Sequence, residues 1–145
     1  MTKPEINYHE AHEPYMKAVV IAMDAAGLTV ADWFADANDP RDGCITLEQR
    51  DEDGDERCVA WHEEKGWFYG TSPEDGHGEI QNIWWICDDV LPDPADVVAA
   101  VQKCIAGDHS QATMHHGYYR DTDDEDDDGF EERLLAYAGG DDAQA

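Results

Sequence analysis

Between Asp121 and Asp128 the chain reads Asp-Thr-Asp-Asp-Glu-Asp-Asp-Asp, seven carboxylates in eight residues with no cation among them. At neutral pH such a run repels itself too strongly to pack, and so it confines where a fold can lie. The predicted organisation is an N-terminal arm over residues 1–13, an α+β domain over 14–107, and an acidic, mostly disordered tail over 108–145 with a possible short helix at 130–138. Charge divides the same way. Of the 145 residues, 35 are Asp or Glu and 9 are Lys or Arg, a net charge of −26 at pH 7. Residues 1–106 carry 7 basic and 23 acidic groups, and residues 107–145 carry 2 and 12. A folded part must nonetheless exist, because 41% of the chain is hydrophobic and its five Trp and six Tyr are costly to leave in water.

Charge of this sign repels nucleic acids and anionic membranes, so direct binding to either is disfavoured. No apolar run of about 18 residues occurs, and the start Met1-Thr2-Lys3-Pro4-Glu5 lacks a signal-peptide pattern, which together predict a cytoplasmic protein. Cys44, Cys58, Cys87 and Cys104 are widely spaced without a Cys-x-x-Cys pair. Free, mostly buried thiols are expected rather than a disulfide framework or a zinc ribbon.

Local patterns place the elements. Pro14 suits a first helical position, Tyr15, Val19, Ala22, Met23 and Ala26 share one helical face, and Gly27 supplies the stop, predicting a helix over 14–26. Cys44 to Gln49 alternates as a half-buried strand, and the Asp51-Glu52-Asp53-Gly54-Asp55 turn joins it to a second strand from Arg57 to Glu63. The turn Glu63-Glu64-Lys65-Gly66 leads to a third strand, Trp67 to Thr71, and a fourth is expected from Ile80 to Cys87, apolar on both faces. Asp93 as N-cap, Pro94 at the first position and Gly107 as stop bound a last helix. The expected fold is a four-stranded antiparallel sheet flanked by an N-terminal and a C-terminal helix packed on one face, plus the disordered acidic tail.

The stretch Tyr15 to Ile45, with Ala25-Ala26-Gly27-Leu28, Ala31-Asp32-Trp33-Phe34-Ala35-Asp36 and Asn38-Asp39-Pro40-Arg41-Asp42-Gly43, resembles a family of small uncharacterised proteins of Streptomyces and related actinobacteria, catalogued as domain of unknown function 6292. Gly66-Trp67-Phe68-Tyr69-Gly70 and Val90-Leu91-Pro92-Asp93-Pro94 are similar to it too, so the likeness spans about residues 12–106. The resemblance implies a compact domain and an actinobacterial or actinophage source. It implies no reaction.

Motifs for chemistry are sparse. His9 and His12 stand three apart in a His-Glu-Ala-His order that is not the His-Glu-x-x-His of a zinc protease, so a solvated arm is expected. Cys58 and His62 share a strand face that Cys44 or Cys87 can approach across the sheet, yet the spacing requires no metal. In the tail, starting a calcium loop at Asp124 puts Leu135 where a bidentate Glu should close the shell, and starting it at Asp121 puts Asp126 where Gly is needed. Ser72, Cys87 and Ser110 lie in no nucleophile elbow, and no glycine-rich phosphate loop is present. No catalytic residue, metal or cofactor is therefore predicted.

Two functions compete. The first is a non-catalytic interaction or regulatory domain that meets a protein partner through an aromatic surface, with Trp33, Phe34, Trp67, Tyr69, Trp84 and Trp85 as candidate anchors and the tail as electrostatic steering. The second is polynucleotide mimicry, a phage-type inhibitor occupying the basic cleft of a restriction, CRISPR or transcription protein. Mimicry needs carboxylates in phosphate-like rows, drawn from Asp36, Asp39, Asp42, Asp51, Glu52, Asp53, Asp55, Glu63 and Glu64 and from Asp123, Asp124, Glu125, Asp126, Asp127 and Asp128. Acidity as adaptation to high salt is a third account, to which the five Trp are poorly suited.

Overall fold

A computed structural model describes residues 11–36, 41–73, 80–87, 89–110, 112–115, 132–134 and 136–137. They form helix α1 (Glu13–Ala25), strands β1 (Val30–Asp36), β2 (Asp42–Leu47), β3 (Glu56–His62), β4 (Gly66–Ser72) and β5 (Gln81–Ile86), and helix α2 (Pro94–Ile105). The strands pair antiparallel in sequence order, giving a five-stranded meander where four strands were expected. The additional strand is β1. It escapes the alternation rule because it lies at the sheet edge, where four of its seven residues are exposed, and because its register shifts between Val30 and Asp32.

Register divides the side chains between two faces. Trp33, Ile45, Val59, Tyr69 and Trp84 stand directly across from one another in successive strands, and Ala35, Gly43, Trp61, Trp67 and Ile86 form the next row. Both helices pack on this face. Tyr15 of α1 meets the rings of Trp61 and Trp67 at 5.9 and 6.0 Å, and Gly43 permits the close approach, since a Cβ there would stand 2.7 Å from the Met16 methyl group. Tyr15, Met16, Val19, Met23, Ile45, Val59, Trp61, Trp67, Val97 and Val101 are essentially inaccessible. Each such side chain contributes about 1.5–3 kcal/mol of transfer free energy, more for the largest rings.

The polar tips of the core aromatics are used to fasten the chain. Trp67 Nε1 donates to the Tyr15 hydroxyl at 3.0 Å, that hydroxyl donates to the Pro92 carbonyl at 2.7 Å, and Trp61 Nε1 donates to the Val90 carbonyl at 2.7 Å. These bonds tie the segment before α2 to both α1 and the sheet while satisfying buried donors. Asp93 holds the N-cap position and its carbonyl accepts from the Asp96 and Val97 amides, but its carboxylate makes no capping bond. Gly27 and Gly107 follow the two helices with φ of +87° and +84°, as their stop role requires.

Packing extends beyond residues 14–107 on both sides. Ala11 and His12 are buried. Thr113 exchanges two backbone hydrogen bonds with Trp85, at 2.7 and 2.9 Å, along the free edge of β5. Leu134 is wholly buried in the core, Tyr137 packs edge-on against Tyr15 at 4.8 Å, and Arg133 reaches the Asp89 carboxylate at 2.9 Å and the Leu91 carbonyl at 3.2 Å. Residues 132–134 and 136–137 are helical within the expected 130–138 segment, whereas the acidic run from 121 to 128 lies outside the described residues.

Candidate partner-binding face

The sheet face opposite the helices carries a different set of side chains. Phe34, Cys44, Ala60, Phe68 and Trp85 form one continuous cross-strand row. Phe34 is 49% exposed, Phe68 and Trp85 are half-buried, and the latter two rings lie 4.9 Å apart. A groove of about 240 Å³ runs along this row, walled by Phe34, Cys44, Phe68 and Ile80 and ending at Asp36, Asp42 and His62. Ile80 reaches its place because residue 70 is glycine: a Cβ there would stand 2.4 Å from Ile80 Cγ2 and 2.9 Å from the Gln81 carbonyl oxygen.

The groove's polar end is acidic. Asp36 and Asp42 are direct cross-strand partners, an arrangement of like charges that costs stability. Asp32 and Asp36 flank Phe34 at alternate positions of β1 and so share its face. His62, next across the sheet from Asp42, accepts the Glu64 amide at Nδ1 over 3.1 Å. Burial first, and then the positive charge of Lys65, push its pKa below 6.5. No Lys or Arg is among the described residues that line the groove.

This acidic end rests on a buried ionic cluster. Arg41 and Glu63, both without solvent exposure, form a two-pronged ion pair with Nε to Oε2 at 2.9 Å and the terminal nitrogen to Oε1 at 3.0 Å. The Arg41 amide also donates to Glu63 Oε2, and the Glu63 amide donates to the Arg41 carbonyl at 3.1 Å. His12 stacks on Trp61, and its Nε2 lies 2.7 Å from the Asp36 carbonyl and 3.1 Å from that of Asp42, so Nε2 carries the proton. Its Nδ1 is buried without a hydrogen-bond partner, and burial holds the ring's pKa below 6.5. The Arg41-Asp42-Gly43 stretch thus holds the hairpin from below through Arg41, offers a carboxylate at the groove through Asp42 and admits α1 through Gly43.

Beside the groove two thiols meet. Cys44 stands opposite Ala60 and Thr46 opposite Cys58, which makes Cys44 and Cys58 diagonal neighbours on this face. Each thiol acts on the other's acidity, and Cys58 Sγ lies 4.0 Å from the Glu56 carbonyl oxygen. The Cys44 S–H donor pushes the Cys58 pKa down, with the Thr46 hydroxyl adding to the effect against the cost of burial, while the shared proton and burial hold Cys44 well above the ordinary thiol range. By contrast, burial pushes the Cys104 thiol up to about 11.

The sequence-predicted anchors therefore separate. Trp67 and Tyr69 are core residues under the helices, with Tyr69 accepting a 2.6 Å bond from Arg57, and they offer no surface to a partner. Trp33 and Trp84 lie on the helix-packed face, half-buried, with Trp84 stacked on His109 at 4.1 Å. Phe34 and Trp85 reach the open face, together with Phe68 and Ile80, which the sequence reading did not single out. Once Trp61 is paired with Trp67, strand alternation assigns Phe68 outward, but that pairing is visible only in the register.

Among the candidate carboxylates, Glu63 is buried in its ion pair and Glu64 is 7% exposed, so neither is a phosphate-like surface group. Asp36 and Asp42 mark one end of β2, whereas Asp51, Glu52, Asp53 and Asp55 lie in the hairpin beyond its other end. The described carboxylates of that candidate set thus fall in two groups rather than one row. Asp39 and residues 123–128 lie outside the described residues. Ligand atoms of Asp51, Asp53 and Asp55 lie within 4.8 Å of one another, and Asp51 Oδ1 accepts the amides of Asp53 and Asp55 at 2.9 Å each, an arrangement that closes the turn. His12 is the other correction: it is a core residue with backbone partners and not part of a solvated arm, while His9 lies outside the described residues.

A family model matches residues 15–103, and the chain belongs to that family, a family of unknown function designated DUF6292. No curated protein and no solved structure matches it. The matched span contains the whole sheet, the Arg41–Glu63 pair and the groove, but neither Thr113 nor the docked Leu134 segment. No helix among the described residues is long and apolar enough to cross a membrane.

Proposed function

We propose that this chain is a non-catalytic interaction domain that receives a basic segment of a protein partner in the open-face groove. The observation that carries the reading is the juxtaposition of a half-exposed aromatic wall, Phe34 and Phe68, with the paired Asp36 and Asp42 carboxylates. An aromatic face beside carboxylates is the chemistry that holds a Lys ammonium or Arg guanidinium, by cation–π attraction and charge-assisted hydrogen bonding together. The net charge of −26 favours encounter with a basic partner over any anionic one.

The test is titration of the ¹⁵N-labelled full chain with a short peptide of alternating Lys and Ala, followed by ¹H–¹⁵N correlation spectra. Shifts are expected at Phe34, Cys44, Ala60 and Phe68, and Phe34→Ala or Asp42→Asn should weaken binding by about tenfold, the equivalent of ~1.4 kcal/mol. Asp53→Asn in the distant hairpin should leave affinity nearly unchanged. Equal losses from Asp53→Asn and Asp42→Asn would reduce the effect to overall charge and defeat the groove reading.

A further inference from the structure

Independently of what occupies the groove, we propose that Cys44 and Cys58 are a paired oxidation site, converted by a small peroxide into an intramolecular cross-strand disulfide on the open face. Three observations carry this. The two residues are diagonal across the β2–β3 ladder, on the same face of the sheet. Each thiol is the largest influence on the other's acidity, which places the two sulfurs facing each other across the ladder, and closure brings them to the ~2.05 Å of an S–S bond. Cys44 is half-buried in the groove wall, so a molecule as small as hydrogen peroxide reaches the pair from the groove, while Cys58 is 5% exposed behind it.

The chemistry balances with hydrogen peroxide as the only co-reactant. The Cys58 thiolate, stabilised by S–H donation from Cys44 and O–H donation from Thr46, attacks one peroxide oxygen. The O–O bond breaks and hydroxide departs, to be protonated to water, leaving Cys58 as a sulfenic acid. The Cys44 sulfur then attacks the Cys58 sulfur, the S–O bond breaks, and the hydroxyl leaves as water with the Cys44 proton. Two thiols have lost two electrons and two hydrogens, and one peroxide has become two waters.

Formation of the bond takes the Cys44 thiol out of the groove wall and clamps β2 to β3 beneath Phe34 and Phe68. Cys104 lies on the helix side of the sheet, where burial disfavours its thiolate, and does not compete. The pairing follows from register rather than from spacing, since thirteen residues separate Cys44 from Cys58 in the chain.

The experiment treats the native full chain with hydrogen peroxide and reads intact mass, followed by digestion without reductant. The expected product is about 2 Da lighter, contains the Cys44 and Cys58 peptides joined, and reverts with dithiothreitol. Cys44→Ser should stop the reaction at a Cys58 sulfenic acid trapped by dimedone, and Cys58→Ser should abolish the mass loss. Cys104→Ser should leave it intact, and because the wild-type mass reading needs no substitution, a poorly folding variant does not obscure the result. Oxygen addition without loss of hydrogen, or a bridge to Cys87, to Cys104 or between chains, would overturn the proposal.

Discussion

Replacing Arg41 by Met tests whether the groove's acidic end depends on the ion pair beneath it. Met fills much of the same volume but leaves the Glu63 carboxylate, which has no solvent exposure, without its two-pronged partner. Breaking one side of a buried pair costs about 3–5 kcal/mol, because the remaining charge is stranded away from water. With a denaturant slope near 2 kcal/mol/M, typical of a small domain, the urea midpoint should fall by about 2 M. At about 4 °C per kcal/mol the melting temperature should fall by about 12–20 °C.

The pair is isolated by a double-mutant cycle. Glu63→Gln keeps an acceptor for the Arg41 backbone amide while removing the buried carboxylate from beside the guanidinium, so it should also be strongly destabilising. Arg41→Met combined with Glu63→Gln buries no ion at all and should be more stable than either single variant. Urea unfolding followed by Trp fluorescence suits the measurement, since Trp61 and Trp67 sit in the core. If Arg41→Met costs less than about 1 kcal/mol, or if the two losses add within about 0.5 kcal/mol, the buried-pair argument is wrong.

The stability of the wild-type chain should fall as pH drops below 6.5, because His12 and His62 are held below that value in the fold while the unfolded chain takes up protons there. Their contribution is complete above 6.5 and declines toward their folded pKa values, by at most about 1.4 kcal/mol per pH unit for the wholly buried His12 and by less for half-exposed His62. Urea midpoints from pH 8 to 5 should flatten when His12 is replaced by Gln, and an unchanged profile would refute the assignment. Leu134→Ala should destabilise the domain by about 2–5 kcal/mol as measured by urea unfolding, whereas no effect would mean that the C-terminal segment does not dock in the core. Gly70→Ala should cost about 1–3 kcal/mol, read by the same assay, because its new methyl displaces Ile80 and with it one groove wall.

Helices and turns were legible in the sequence because their signals are local. Pro14, Gly27, Pro94 and Gly107 act within a turn of where they stand, and the structure uses all four near the expected places. Strand β2 was legible as well, since one buried face imposes period-two patterning, while β3 and β4 were marked by the turns that bound them and by their apolar and aromatic runs. Strand β1 was not, because an exposed edge with a register shift shows no such period. The candidate site failed for a related reason. Which aromatics face out depends on register, and reversing the phase of β4 would exchange Trp67 and Tyr69 for Phe68. Glu63 looked like one acidic residue among 35, and only its distance to Arg41 separates it from the rest. The short helix expected over 130–138 carries no sign in the sequence of whether it docks on the domain or elsewhere.

The docked Leu134 segment changes how the acidic run must be tested. Thr113 on the edge of β5 and Leu134 in the core hold both ends of the intervening stretch, so its charge is tethered to the domain at two points rather than one. Ending the chain at Gly107 would therefore remove Leu134 and uncover Tyr15 at the same time as it removed the carboxylates. Neutralising Asp123, Asp124, Asp126 and Asp127 to Asn leaves both anchors in place and alters charge alone. Long-range charge acts mainly on encounter, and contact within a groove acts mainly on release. With the Lys-Ala peptide, the Asn variant should lower the association rate and weaken its salt dependence, while Phe34→Ala should raise the dissociation rate with little change in association. If the Asn variant instead changes dissociation as much as Phe34→Ala does, the run makes direct contact with the ligand, and the division into steering and capture is wrong.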